Sequence, residues 1–395
     1  MAVKINTDER KIDELLTRGV TEVIHKEALK KKLLSGRPLR IKLGIDPTSP
    51  NVHLGRAVTL LKLRDFQELG HQIVFIVGDF TGIIGDTSDK ESERPMLTKE
   101  SVEENKKTYR EQVEKILDKE NIEFRNNSEW LEKLTYREIG EHADLFSVAD
   151  FIARDNIKRR LDAGKRVSLR ETLYPLMQGY DSVAVNADVE IGGTDQRFNL
   201  LAGRTLQPHF AQEPQDILMT PLINGTDGRK MSSSWGNTIN LLASPEDMYG
   251  KVMSMNDSEM VTYFTVCTRI PLSEIEVMSN ELTSGTNPRD IKMKLAHEIT
   301  RIYHGDDGAK EGEQAFIDTF QNGGVPEDVL EIKINYIDNL ISEGVVASKT
   351  ELRRLLEAGG VRDALTGEKL IEIPTTLEVP QILKIGKRRF VKLVP

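Results

Sequence analysis

The chain has 395 residues, 38% of them hydrophobic and 30% charged, with a formal net charge of −9. Such a chain buries a full core and is expected to form roughly two or three domains of a soluble enzyme; it holds no run of about 18 apolar residues, and Met1 to Arg10 is too polar for a signal peptide, so no helical membrane anchor or secretory leader is expected. The single Cys267 excludes an internal disulfide and a multi-cysteine zinc site, which makes a reducing, cytoplasmic setting the expectation.

Residues 1–38 form an N-terminal segment in which 8–35 read as two polar helices, with an apolar stripe from Leu15 through Val23 and Ile24 to Leu29. From Leu39 the chain alternates short apolar strands (39–45, 72–77) with helices. That pattern predicts an α/β domain over 39–240, a doubly wound, Rossmann-like parallel sheet. Ligands of such sheets sit beyond the carboxyl ends of the strands. At the first of these ends, the strand to Asp46 is followed by Pro47 to Asn51 and by a helix running to about Gly70. A helix starting there aims free N–H groups and its positive dipole end at an anion such as a phosphate. His53 adds a donor, Arg56 a fixed charge, and Gly55 leaves room for a flat base against the backbone.

The strand Ile73 to Val77 runs into a glycine-rich turn, Gly78 to Ser88, that carries Asp86; the polar stretch after it, with Lys90 and Arg94, reads as a mobile loop. Residues 128–180 are mostly helical by pattern. Tyr174, Gln178 and Asp181, spaced by four and three, project from one helix face. Farther on, Gly192-Gly193 lets the backbone approach a ligand, and Asp195 opens the next helix, where it accepts from ribose hydroxyls, caps the helix, or does both. Lys230-Met231-Ser232-Ser233-Ser234 lies in a loop with Gly225, Gly228 and Gly236 around it, free to bring Lys230 onto phosphates.

Residues 241–325 read as a helical domain. Asn287-Pro288 opens its clearest helix, Gly305 ends it, and Gln321 to Val325 is the best linker. The tail, 335–395, carries a capped helix from Ser348, a Gly359-Gly360 turn and two strand-like stretches. From Tyr336 onward ten Lys and Arg face eight Asp and Glu, a basic end on an acidic protein and a natural dock for a phosphate backbone.

His53-Leu54-Gly55-Arg56 followed by Lys230-Met231-Ser232-Ser233-Ser234 resembles the paired signatures of the class I aminoacyl-tRNA synthetases, and the residues between are similar to the bacterial tyrosyl-tRNA synthetases. The resemblance runs from about Arg40 onward. It implies that ATP activates L-tyrosine as its adenylate, that tyrosine then passes to the 3′ end of tRNA(Tyr), that Mg2+ accompanies the nucleotide, and that a homodimer forms through helices 128–180. For the amino acid it assigns Asp86, Tyr174 and Gln178 to the ammonium, Asp181 to the phenol and Gln196 to tyrosine binding. For the nucleotide it assigns Asp46, His53, Gly55, Gly193, Asp195, Lys230 and Met231. Thr48, His53, Arg56, Lys90, Arg94 and Lys230 become the donors facing the phosphates, and no metal held by protein ligands is implied. The tail resembles a small RNA-binding module shared with a ribosomal small-subunit protein.

Three positions depart from the family pattern. Arg56 replaces a second histidine, Ser233 replaces a second lysine, and Lys42 stands where many relatives carry a tyrosine near the phenol. Lys42 is therefore either part of a different pocket or a strand residue facing solvent. Two other readings stay open at this level: the tryptophan-specific relative, and an RNA-binding descendant that no longer activates an amino acid.

Overall fold

The computed structural model describes residues 4–86, 96–320, 329–333, 337–364, 368–374, 380–386 and 389–394. Lys90, Arg94 and the expected linker at 321–325 lie outside the described residues.

A six-stranded sheet organises the larger part. Its strands are β1 (Glu22–Ile24), β2 (Arg40–Ile45), β3 (Gln72–Val77), β4 (Ile122–Asn126), β5 (Val189–Gly193) and β6 (Asp216–Thr220), in the order β1-β6-β5-β2-β3-β4, all parallel except β1. The inner strands are near-continuous apolar runs because helices cover both faces. The chain winds outward from β2 to β4, then returns to place β5 beside β2. Connecting loops diverge at that reversal, which opens a crevice above the carboxyl ends of β2 and β5.

Residues 8–35 depart from the expected pair of helices. α1 (Glu9–Leu15) and α2 (Lys26–Leu34) form, but Val23 and Ile24 lie between them in β1, antiparallel to β6 with Val23 opposite Leu218. A β-branched pair suits a pleated surface, and β6 would otherwise end the sheet with unpaired backbone groups.

α3 (Leu54–Glu68) crosses from β2 to β3, and the short α4 (Thr81–Ile84) follows β3. α5 (Lys99–Lys106) and α6 (Tyr109–Glu114) lead to β4. A helical excursion then runs through α7 (Ser128–Leu131), α8 (Tyr136–Ala143), α9 (Val148–Ile152), α10 (Asp155–Asp162) and the longer α11 (Leu169–Ala184), and α12 (Arg197–Leu206) joins β5 to β6.

α13 (Pro245–Ser254), α14 (Met260–Cys267), α15 (Leu272–Thr283) and α16 (Pro288–Phe320) follow. Gly305 leaves the helical region at φ 73°, but the chain resumes as helix at once, so this glycine bends α16 instead of ending it. Beyond the bend α16 lies close on α13, where a Cβ at Gly312 would stand 2.6 Å from the Pro245 carbonyl oxygen. Tyr249, Phe264 and Leu295 of these helices share one apolar cluster with Ile41 of β2 and Leu60 of α3.

The tail has its own four-stranded sheet, β7 (Leu330–Lys333), β8 (Val361–Asp363), β9 (Gln381–Ile385) and β10 (Arg389–Val394), ordered β7-β10-β9-β8. With α17 (Ile337–Ser342) and α18 (Lys349–Glu357) it closes on a second core that includes Val346, Leu352 and Val391. The Ser348 hydroxyl caps α18 by accepting from the Glu351 amide at 3.2 Å.

Candidate active site

A cavity of about 440 Å³ occupies the crevice above β2 and β5. Most of the expected site residues reach it: Asp46, Thr48, His53, Gly55, Arg56, Asp86, Tyr174, Gln178, Gly193, Asp195, Gln196, Lys230 and Met231 line it. Asp181 does not. It sits one turn beyond Gln178 on α11, buried at 3% exposure.

The two distant signature segments meet through the backbone. The Leu54 amide donates to the Ile239 carbonyl at 2.8 Å, the Leu241 amide to the Val52 carbonyl at 2.9 Å, and the Gly55 amide points at the Met231 sulfur at 3.2 Å. These bonds pin the chain following the Lys230 loop to the N-terminus of α3. Gly55 is required by closeness, since a Cβ there would lie 3.0 Å from His53 Nδ1 and 3.5 Å from Met231 Cβ.

His53 is the N-cap residue of α3 and only 7% exposed; its Nδ1 has no hydrogen-bond partner among the described residues. Burial, with Arg56 and Lys230 nearby, pushes its pKa down to about 3, so the imidazole is neutral and offers one N–H and one lone pair. The positive charge comes from Arg56. Its guanidinium donates to the Tyr109 hydroxyl at 2.8 Å, the Thr48 hydroxyl at 3.1 Å and the Asp46 carbonyl at 3.2 Å. Tyr109, fully buried 53 residues away, was invisible to sequence reasoning, because nothing in its neighbourhood marks it as a site residue.

Lys230 reaches Asp195 at 3.0 Å, closing the cavity from above. Its loop is organised by Asn237, whose side chain accepts from the Ser232 amide at 2.9 Å and donates to Asp227 at 2.7 Å. That bond and Arg229 hold the Asp227 carboxyl down to about 2, and Arg229 in turn lies 4.7 Å over the ring of Trp235.

At the opposite end a hydrogen-bond chain ties the elements together. The Tyr174 hydroxyl donates to Asp46 Oδ2 at 2.9 Å and Thr81 donates to Oδ1 at 2.7 Å, so both Asp46 oxygens are engaged within the protein. Burial still raises that carboxyl to about 6 against the pull of those two donors. Asn127 bridges Thr81 at 2.8 Å and Asp181 at 3.3 Å, and Trp130 Nε1 donates to Asp181 at 2.8 Å. Burial pushes the Asp181 carboxyl up to about 7, with Lys42 opposing. Thr81, Asn127 and Trp130 escaped the sequence analysis; none carries a motif, and each matters through partners on other elements. Gln196 donates to Asp86 at 2.8 Å.

Lys42 is fully buried and ion-paired with Glu190 at 2.8 Å. The solvent-facing alternative is therefore corrected: β2 is an inner strand covered by α11 on that face, and a lysine there needs a partner.

A family profile for "tRNA synthetases class I (W and Y)" matches residues 34–321. The Tyrosine--tRNA ligase of Thermotoga maritima is 45% identical over 388 residues, covering 96% of each chain, and that of Shewanella oneidensis is 45% identical, covering 97% of this chain and 98% of the relative. The chain belongs to the tyrosyl branch of the class I tRNA synthetases. Among solved structures, a C-terminally truncated mitochondrial tyrosyl-tRNA synthetase from Aspergillus nidulans superposes with a TM-score of 0.66 at 21% identity, over 78% of this chain and 94% of that one. The Archaeoglobus fulgidus tyrosyl-tRNA synthetase, solved with L-tyrosine, gives 0.62 at 23% identity, over 78% of this chain and all of that one. Both share the synthetase fold. Among the described residues, the charged groups that line the cavity are the cations Arg56 and Lys230 and the carboxylates Asp46, Asp86 and Asp195.

Proposed function

We infer that the chain activates L-tyrosine with ATP and then charges tRNA(Tyr). The observation that carries this reading is one cavity with cationic and donor groups, His53, Arg56 and Lys230, at one end and Asp86, Tyr174 and Gln178 at the other. The tyrosine carboxylate attacks the α-phosphorus; the bond to the bridging oxygen breaks, and pyrophosphate leaves with the electron pair. In-line positioning and positive charge where negative charge builds up are the needs of that step. Thr48, the neutral His53 N–H, Arg56 and Lys230 meet the phosphates, with Lys90 and Arg94, which follow Asp86 in the sequence. Gly193 and Asp195 hold the ribose, while Gly55 and Met231 face the base. Asp86, Tyr174 and Gln178 take the ammonium, each charge-assisted bond contributing about 1.5–3 kcal/mol. The Tyr174 hydroxyl donates its hydrogen bond to Asp46, which leaves its oxygen lone pairs for that ammonium.

Magnesium would come with the nucleotide and would add positive charge at its phosphates. The carboxylates lining the cavity already accept from protein donors, Asp46 from Tyr174 and Thr81, Asp86 from Gln196 and Asp195 from Lys230, which does not fit a metal held by the protein alone.

Asp181, one turn past Gln178 on α11 and just beyond the cavity lining, is the acceptor assigned to the phenol hydroxyl of a ring that enters past Tyr174 and Gln178. Asp181→Ala is expected to lower kcat/KM for tyrosine about 10- to 150-fold, the value of one hydrogen bond to a charged group, while that for phenylalanine changes little. Equal losses for both amino acids reject the assignment.

The tail, with its excess of basic residues, holds the tRNA. A chain lacking residues 335–395 should keep tyrosine-dependent ATP–pyrophosphate exchange and lose charging efficiency; unchanged charging assigns the tRNA elsewhere. Exposed Val148, Ile152, Leu161 and Leu169 on α9, α10 and the start of α11 support a homodimer through this excursion, which sedimentation checks. Among the described residues no helix is long and apolar enough to cross a membrane, and a cytoplasmic enzyme is the reading that suits one buried, unpaired cysteine. Exchange measured with each amino acid in turn tests the whole proposal: tyrosine alone should support it, and tryptophan in its place or no amino acid at all refutes it.

A further inference from the structure

We propose that the buried Lys42–Glu190 pair is a positioning device for the amino-acid pocket, gripping Gln178 and the turn of α11 that carries Asp181 so that tyrosine is bound tightly and told apart from phenylalanine. This rests on the function proposed above and adds residues to it that touch no ligand.

Lys42 and Glu190 are direct neighbours in β2 and β5, at the point where the sheet reverses its winding. They are 0% and 1% exposed. Two residues farther along each strand, on the same face, come Gly44 and Gly192, which line the cavity; the pair therefore lies just beneath its floor. The ammonium has three donors and all are committed: to Glu190 Oε1 at 2.8 Å, Ser182 Oγ at 2.8 Å and the Gln178 carbonyl at 2.9 Å. Glu190 answers by accepting from the Gln178 side chain at 3.2 Å, Ser182 at 3.0 Å and Gln215 at 2.5 Å. Gln178 is thus held by backbone and side chain at once, the first through the lysine and the second through the glutamate. Ser182, adjacent to Asp181, is held by both.

Stability alone does not account for this arrangement. Burying two charges costs desolvation, and apolar residues of similar volume usually stabilise a core as well or better. What a charged pair adds is direction: four hydrogen bonds, two from each member of the pair, fix α11 against β2 and β5 in one register. Lys42 also supports the acceptor itself. Asp181 is faced by Trp130 and Asn127 from the β4–α7 segment, by Lys42 from β2, by Glu190 from β5 and by Tyr174 from its own helix; Lys42 is the cation in that set, and it favours the ionised carboxylate against burial.

The test is the double variant Lys42→Met/Glu190→Gln, which removes both charges together and leaves no uncompensated ion. Thermal melting should stay near that of the parent, KM for tyrosine should rise about tenfold, and KM for ATP should hold. The acid limb of kcat/KM for tyrosine should move to higher pH: the variant removes Lys42, which favours the ionised Asp181, together with the weaker opposing influence of Glu190, so Asp181 ionises later. Ser182→Ala, which deletes one hydroxyl that accepts from Lys42 and donates to Glu190 and removes no charge, should move the tyrosine KM in the same direction by a smaller factor and serves if the double variant does not fold. An unchanged tyrosine KM and phenylalanine discrimination in either folded variant overturns the positioning role alone, as does a uniform fall of every kinetic constant with the melting temperature. If the parent exchanges pyrophosphate with no amino acid, the proposed function falls and this role falls with it.

Discussion

Replacing Lys230 by alanine is expected to slow formation of the tyrosyl adenylate by about 10²-fold or more and to leave the dissociation constant for tyrosine close to that of the parent. The ammonium rests on Asp195 at 3.0 Å, partly exposed, on a loop anchored at its base by the Leu54–Ile239 and Leu241–Val52 backbone bonds. In the proposed mechanism ribose hydroxyls take over the oxygens of Asp195, and the lysine, freed from that ion pair, turns toward the phosphates. With serine at position 233 the signature itself offers no other cation, and the neutral His53 adds a donor without charge, so among the described residues Lys230 and Arg56 supply the positive charge that faces the phosphates in the proposed mechanism. The tyrosine end of the cavity is built from α11 and the turn after β3, which the substitution does not touch. Single-turnover kinetics separate the two quantities, and equal losses in rate and tyrosine affinity contradict the role.

Glu171→Ala is expected to destabilise the catalytic domain by about 3–5 kcal/mol, because it strands the guanidinium of a fully buried Arg160. Glu171 accepts from Arg160 at 2.5 and 3.0 Å, with side-chain exposures of 0% and 2%, and also accepts from the Ser168 amide at 3.0 Å, completing the capping box at the start of α11. Denaturant unfolding measures the loss. A change below about 1 kcal/mol would show that the pair is not load-carrying for α11. Replacing both partners by apolar residues, Arg160→Met with Glu171→Leu, should recover most of the lost stability, since no charge is then buried alone.

These two expectations draw on different parts of what could be read in advance. The Lys230 loop, the start of α3 and the Tyr174–Gln178 face of α11 were legible because each is written in a few neighbouring residues: glycines that free a loop, a helix start that attracts anions, side chains repeating at helical spacing. The Ser348 cap was legible for the same reason. The Arg160–Glu171 pair was not, since either residue by itself reads as part of a solvated polar face. β1 was missed likewise; three residues between two helices become a strand only because β6 lies alongside.

Local pattern thus decided most of the elements, though not β1 or the course of α16 past Gly305, together with the two ends of the cavity and the family, since propensity, capping and motif spacing act over a few residues and survive in any correct fold. Tertiary structure decided which polar groups lose water. Lys42 with Glu190, Arg56 with Tyr109, Asp46 with Thr81 and Tyr174, and Asp181 with Trp130 are each separated by tens of residues or more. Their charge states and directions follow from burial and from partners that only the winding of the sheet brings within 3 Å or so of one another.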